Sequence, residues 1–284
     1  MINYYEKPEE YKFVKDFVDK GKPLYCTGPA GCGKSEMFRQ IAHDLKRTIY
    51  ELSGHNDIRP DDFLGYKTAQ AKEIKWIDGL LPRAAREGAM LVVNEISSVS
   101  PGILFALHFV LEENGRIVLT EHQDKNDKIE EVKPKDGFCL ICTDNTAGIG
   151  DSDGMYAGTQ VMNQAFLDRF QAVVKMGYLK EAQEIKVLNG KFGNDIDDED
   201  AKTLVQIANM IRTSNSKGET SILFSTRRLV NMVENMIMLG KQGMQGKKAF
   251  RTALELSILN RIEDADRGTV VEIVQRVMGV YLKK

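Results

Sequence analysis

Cysteine is scarce in this sequence: Cys26, Cys32, Cys139 and Cys142 are the only four among 284 residues. Nothing in their spacing resembles a disulfide framework, which fits a reducing compartment. Cys139 and Cys142 do form a C-x-x-C, the spacing of a redox or zinc pair. They lie in GFCLICT, an apolar run that reads as a buried strand, where cysteines pack as small hydrophobes. Odd spacing on a strand also points the two to opposite faces. No apolar run has transmembrane length and no signal peptide is visible, so the sequence predicts a soluble, cytoplasmic protein with no membrane insertion. An excess of one charge is missing too. The net charge is -2, so no global basic field draws the chain to nucleic acid. The four histidines are scattered and suggest no zinc site. There is no internal repeat and no low-complexity tract.

What is present is an ordinary globular mixture, 42% hydrophobic and 28% charged, long enough to bury a core without staples. The first half alternates short apolar strands with helical patterns, the signature of a parallel sheet with crossover helices. Helices are predicted at 11–20, 34–45 and 101–112, the last with Leu104, Leu107, Phe109 and Leu111 as its apolar set. Strands are predicted at 24–27, 48–52, 90–93, 138–142 and 172–176. Beyond about Leu179 only helices are read, near 181–190, 199–213, 226–239, 248–261 and 268–279. The expected architecture is therefore α/β, a core at 1–179 followed by a smaller all-helical domain at 180–284.

Gly28-Pro29-Ala30-Gly31-Cys32-Gly33-Lys34-Ser35 matches G-x-x-x-x-G-K-[ST] in full. Glycines let the backbone curl so that successive N–H groups face phosphate oxygens. The following helix offers its positive N-terminus to the same charge. Lys34 would reach the β- and γ-phosphates, and Ser35 would give its hydroxyl oxygen to Mg²⁺. The acidic group such a site needs is sought in Leu91-Val92-Val93-Asn94-Glu95, an apolar strand ending in polar residues. The usual ending is Asp-Glu, so Asn94 places a neutral amide where a carboxylate would support the metal. Glu95 is then the base that polarises the attacking water; its plain alternative is a capping or surface carboxylate. The cofactors read from these motifs are ATP and Mg²⁺.

Three stretches resemble the AAA+ ATPases of the MoxR and CobS group. One is Trp76-Ile77-Asp78-Gly79-Leu80-Leu81-Pro82-Arg83-Ala84-Ala85. The second runs from Thr143-Asp144-Asn145-Thr146-Ala147-Gly148-Ile149-Gly150-Asp151 through Tyr156-Ala157-Gly158-Thr159-Gln160 to Leu167-Asp168-Arg169-Phe170. It looks like the ATPase subunit of cobalt chelatase. The third is Phe224-Ser225-Thr226-Arg227-Arg228. The resemblance implies a P-loop AAA+ core with a helical lid. It makes Asn145 sensor 1, Arg169 the arginine finger that reaches a neighbour's ATP, and Arg227 sensor 2, with Arg228 as its alternative. Outside that context Asn145 reads as a turn residue, Arg169 as a salt-bridge partner of Asp168 and Arg227 as a solvated helix end. The resemblance also implies a homo-oligomeric ring, a hexamer, and a partner protein with an integrin-type metal-binding domain. Thr226 stands where the family has proline.

Residues 114–132 read as a hairpin with a charged turn at 124–128, which either lines a ring pore or lies on the surface. Residues 54–75 read as a long polar loop, where the family carries an insert that contacts substrates or partners. The acidic run Asp195–Asp200 reads as a helix start. Two functions follow: an ATP-hydrolysing motor that remodels or activates a partner, or a scaffold that ATP locks together because Asn94 weakens hydrolysis. A nucleic-acid motor is disfavoured by the near-neutral charge.

Overall fold

The computed structural model describes residues 8–70, 73–123, 127–151, 156 and 158–279. By internal contacts the chain forms two units. One comprises Pro8–Pro29 and Lys34–Met176; the other comprises the residues from Gly177 on, together with Ala30–Gly33.

The first unit begins with α1 (Pro8–Asp19), β1 (Leu24–Thr27), α2 (Lys34–Leu45) and β2 (Ile49–Ser53). It continues through α3 (Pro60–Phe63), the strands β3 (Gly65–Gln70) and β4 (Glu73–Asp78), α4 (Leu80–Glu87) and β5 (Met90–Asn94). Then come α5 (Pro101–His108), β6 (Ile117–Gln123), β7 (Ile129–Val132), β8 (Cys139–Asp144), α6 (Gln164–Leu167) and β9 (Ala172–Lys175). Five described strands form a parallel sheet in the order β2-β5-β8-β1-β9. Parallel sheets are covered on both faces, which is why Leu91, Val92 and Val93 or Leu140, Ile141 and Cys142 run on without polar alternation. Tyr25, Leu91, Val93, Leu140 and Cys142 point into a core closed by Leu81, Ala84, Ile103, Leu107 and Phe166. Alternate residues face the other way, toward the α2 side. Cys139 and Cys142 accordingly leave by opposite faces, both buried as free thiols. Burial pushes Cys139 up to about 12 and raises Cys142 as well, so neither is a thiolate at neutral pH.

Two expectations need correction. Residues 54–75 are not an open loop: they hold α3, β3 and the start of β4, paired antiparallel from Gly65↔Asp78 to Gln70↔Glu73. Gly65 makes this hairpin possible. Its φ is +125°, and a Cβ there would stand 2.4 Å from the Ile77 carbonyl oxygen and 2.6 Å from Trp76 Cζ2. The helix expected over 101–112 stops at His108. The Leu111 amide still donates to Leu107, but Asn114 at φ +61° turns the chain and the Arg116 amide returns to Phe109. The helix buries Ile103 and Leu107, and Leu111 is buried beyond its end, whereas Phe109 is exposed. The expected second hairpin is formed by β6 and β7, with a register shift between Leu119 and Gln123. Turn residues Asp124, Lys125 and Asn126 lie outside the described residues, as do Ser152–Met155 and Ala157.

The second unit is helical: α7 (Glu181–Phe192), α8 (Asp198–Ser216), α9 (Thr226–Lys241), α10 (Gly246–Ser257) and α11 (Asp264–Met278). The acidic run does start a helix, with Asp197 accepting from the Asp200 amide at its N-cap. Leu204, Ile211, Phe224, Leu229, Met232, Leu254 and Val274 share one core. Inside it lies an ion pair. Glu184 is fully buried and takes two bonds from Arg212, at 2.8 and 2.7 Å, and a third from the Thr226 hydroxyl at 2.6 Å. Arg212 also donates to the Phe224 carbonyl at 2.7 Å and lies 4.3 Å from the centre of the Tyr178 ring. Removing one member leaves an uncompensated buried charge, so Arg212→Met will destabilise the protein by about 3–5 kcal/mol in urea unfolding. Glu184→Met combined with Arg212→Met will cost less than that single change. A double variant less stable than Arg212→Met refutes this reading of the pair.

Candidate active site

The parallel register brings the ends of β1, β5 and β8 to one edge of the sheet. Thr27 is level with Asp144, and Val93 with Cys142. The loop that leaves β1 there carries Gly28, Gly31 and Gly33, all at positive φ. At Gly28 nothing else fits, because a Cβ would lie 2.3 Å from the Met176 carbonyl oxygen. Pro29, Ala30, Gly31 and Cys32 carry the chain round to α2, which opens on Lys34 and Ser35.

Lys34 is buried. Its ammonium donates to the carbonyls of Gly28 at 2.6 Å and Pro29 at 3.2 Å and to Asn145 Oδ1 at 2.8 Å. Ser35 Oγ donates to Asn94 Oδ1 at 2.9 Å, and Thr143 Oγ1 donates to the same oxygen at 3.1 Å. Four of the residues expected from the sequence, Lys34, Ser35, Asn94 and Asn145, are therefore brought together. Ser35 and Asn94 offer neutral, hard oxygens. That donor set fits Mg²⁺, which prefers oxygen ligands and retains several waters, but it brings no charge.

Glu95 follows at once, exposed, with φ +54°. A non-glycine residue in this region is strained by roughly 1–2 kcal/mol, and such strain persists where the surroundings impose it. Here the Gly54 amide bonds the Asn94 carbonyl at 2.6 Å, and the Ser98 amide bonds the Glu95 carbonyl at 2.9 Å. Arg169 lies just past α6 and is not brought to this group. Its guanidinium folds back on the Ala165 carbonyl rather than pairing with Asp168. Near it the imidazole of His108 is lowered, by burial first and then by the Arg169 charge. In the helical unit Ser225 caps α9, Arg227 is exposed in its first turn, and Arg228 is partly buried and lowered by desolvation.

Sequence reading gave no role to three residues that it named. Thr143 holds Asn94, and Thr226 holds the buried Glu184 in place of the family's proline. Asp144, almost wholly buried, accepts from Ser97, Tyr25, Thr146 and the Gly148 amide. Burial pushes its carboxyl upward, but the bonds from Ser97, Gly148, Thr146 and Tyr25 outweigh that and hold it below the usual carboxylate range. An acid directly after an apolar strand was the available signal.

Residues 23–170 match the family described as AAA domain (dynein-related subfamily), and residues 184–277 match CbbQ/NirQ/NorQ C-terminal. The chain belongs to the AAA family. Among curated relatives, this AAA protein is 29% identical to the aerobic cobaltochelatase subunit CobS of a Sinorhizobium species, over 91% of this chain and 76% of that one. It is 27% identical to the gas vesicle ATPase GvpN of Haloferax mediterranei, over 72% and 64%. It is also 27% identical to NorQ of Paracoccus denitrificans, over 67% and 64%. Of solved structures, NtrX of Brucella abortus superposes with TM-score 0.58 at 17% identity, covering 97% of this chain and 60% of that one. RuvB of Thermotoga maritima gives 0.54 at 14%, covering 96% and 74%. These two likenesses concern the fold alone. No helix among the described residues is long and apolar enough to cross a membrane.

The neutral Asn94 yields a direct expectation. Asn94→Asp keeps an oxygen for both hydroxyls and adds a negative charge. It will lower the Mg²⁺ concentration for half-maximal nucleotide binding about tenfold or more, since charges 4 Å apart interact by several kcal/mol even at an effective dielectric of about 20. Unchanged or weaker Mg²⁺ dependence in a titration means that Asn94 lies outside the metal shell.

Proposed function

We propose that the chain is an ATP-hydrolysing motor subunit of a homo-oligomeric ring, a hexamer, that remodels or activates a partner protein in the cytoplasm. One observation carries the reading: the Lys34 ammonium, buried between loop carbonyls and Asn145, stands beside the paired oxygens of Ser35 and Asn94. The loop Gly28–Ser35 binds the phosphates through its amides, and Lys34 exchanges carbonyl partners for phosphate oxygens. Ser35 and Asn94 hold Mg²⁺, which when bound neutralises phosphate charge. Glu95 takes the proton of the attacking water, and Asn145 orients that water. Arg227, or Arg228, answers the nucleotide from the helical domain at 180–284.

Arg169 is assigned to the neighbour's phosphate. A forked, permanently charged guanidinium suits that task. Phe105 and Phe109 expose apolar surface on the side of α5 that carries His108, as a subunit contact would require. The likeness to CobS supports a chelatase-type role with a partner bearing an integrin-type metal-binding domain. Nucleic acid does not fit the charge. The neutral Asn94 favours one second reading, an assembly scaffold locked by ATP, and turnover in saturating Mg-ATP separates the two.

Lys34→Ala will abolish ATP binding in calorimetry. Arg169→Ala will bind ATP while turnover falls about 10³-fold or more, the range such arginines supply. Mixing the two variants restores activity, because the intact loop of one subunit then faces the intact arginine of another. A mixture that stays inactive while native mass spectrometry detects mixed rings rules out action across the interface.

A further inference from the structure

We propose that Asp144 is a positioning residue for ATP hydrolysis, setting Glu95 and Asn145 in register with each other. The inference rests on the ATPase reading above and extends it to a residue outside that machinery. Asp144 ends β8, with Asn145 next in the chain. Its Oδ1 accepts from Ser97 Oγ at 2.5 Å, and Ser97 lies two residues beyond Glu95 in the turn Ile96–Ser98. Its Oδ2 accepts from Tyr25 Oη at 3.0 Å, from Thr146 Oγ1 at 2.9 Å and N at 3.2 Å, and from the Gly148 amide at 2.8 Å. Its backbone carbonyl accepts from the Gly28 amide at 3.3 Å, where the phosphate loop begins.

One residue thus ties together the strand before the loop, the turn after Glu95 and the turn around Asn145. The two backbone amides cannot reorient, so the carboxylate fixes where the chain goes on leaving β8. The Ser97 bond fixes the turn that holds Glu95 at φ +54°. Apolar side chains fill the same side of the sheet. A buried acid there is no gain in stability over a hydrophobe of similar size; what it adds is directional bonds to segments flanking the reacting groups.

The test measures ATP affinity and turnover in the full chain for Ser97→Ala, Asp144→Ala, Asp144→Asn and Glu95→Gln, and for Asp144→Ala combined with Glu95→Gln. An error of about 1 Å at a reacting group costs about 10²-fold, so kcat in Asp144→Ala should fall on that scale. Its ATP Kd should stay within about threefold of wild type, the split expected when only the chemical step is touched. Asp144→Asn should recover part of the rate, since its amide still accepts from the Gly148 and Thr146 amides while Ser97 turns to accept. Because Asp144 acts only by setting Glu95 against Asn145, loss of the Glu95 carboxylate leaves that register without effect, and the double variant should be no slower than Glu95→Gln alone. If Asp144→Ala fails to fold by circular dichroism, Ser97→Ala carries the test, with the same loss of kcat and the same unchanged Kd expected. Effects that multiply in the double variant, or a loss confined to ATP affinity, overturn the role. A Glu95→Gln loss alongside normal turnover in Asp144→Ala and Ser97→Ala overturns the positioning role and leaves the ATPase reading standing. Equal turnover in wild type and Glu95→Gln, or none in wild type, overturns both.

Discussion

Parallel pairing of β1 with β8, and of β8 with β5, is the constraint from which the site follows. Only in a parallel arrangement do successive strands end at the same edge, so that what comes after each of them meets there. With Thr27 level with Asp144 and Val93 with Cys142, the phosphate loop, Asn94–Glu95 and Asn145 emerge together. The Lys34 ammonium then meets an amide 111 residues away in sequence. A slip of one residue in either pairing would turn Asn94 or Asp144 to the wrong face.

That alternation also decides the electrostatics. Asn94 and Thr143 lie on the side of the sheet that faces Ser35 of α2, whereas Asp144 lies on the side of Tyr25 and Ser97. Both Asp144 oxygens are occupied there. The buried acid therefore does not make up for the carboxylate that Asn94 lacks, although the two residues end neighbouring strands. The Asn94 amide is left among neutral hydroxyls, those of Ser35 and Thr143, with the charged Glu95 beside Asn94 in sequence and the charged Lys34 beside Ser35.

The helical unit solves a related problem with a buried ion pair. The Glu184–Arg212 pair bonds to Thr226 at the start of α9 and to the carbonyl of Phe224 just before it. Proline at the first helical position would preset φ and need no partner. Threonine gives up that constraint and gains a hydroxyl that anchors the same turn to a carboxylate inside the core.

Much of this was legible in the chain itself. Apolar runs such as Leu91–Val93 and Leu140–Cys142 mark strands buried on both faces, and the full phosphate-loop motif identifies its own strand-loop-helix setting. The family likeness extends across the sheet domain and the helices beyond it. The β3–β4 hairpin was not legible, because Lys67, Thr68, Gln70, Glu73, Ile74 and Lys75 bury neither face deeply and leave no period to read. Nor was the end of α5, which depends on a turn at Asn114 rather than on composition. Sequence alone singled out the loop at 28–35 and the pair Asn94 and Glu95 as candidates for phosphate and metal chemistry, since that expectation follows from side-chain type at fixed local spacing. Tertiary structure alone decided that Asn145 meets Lys34, that Thr143 shares Asn94 with Ser35, and that Asp144 turns away to bind Ser97 and Tyr25. Strand order and register set those distances, and neither is encoded in the spacing of residues along one strand.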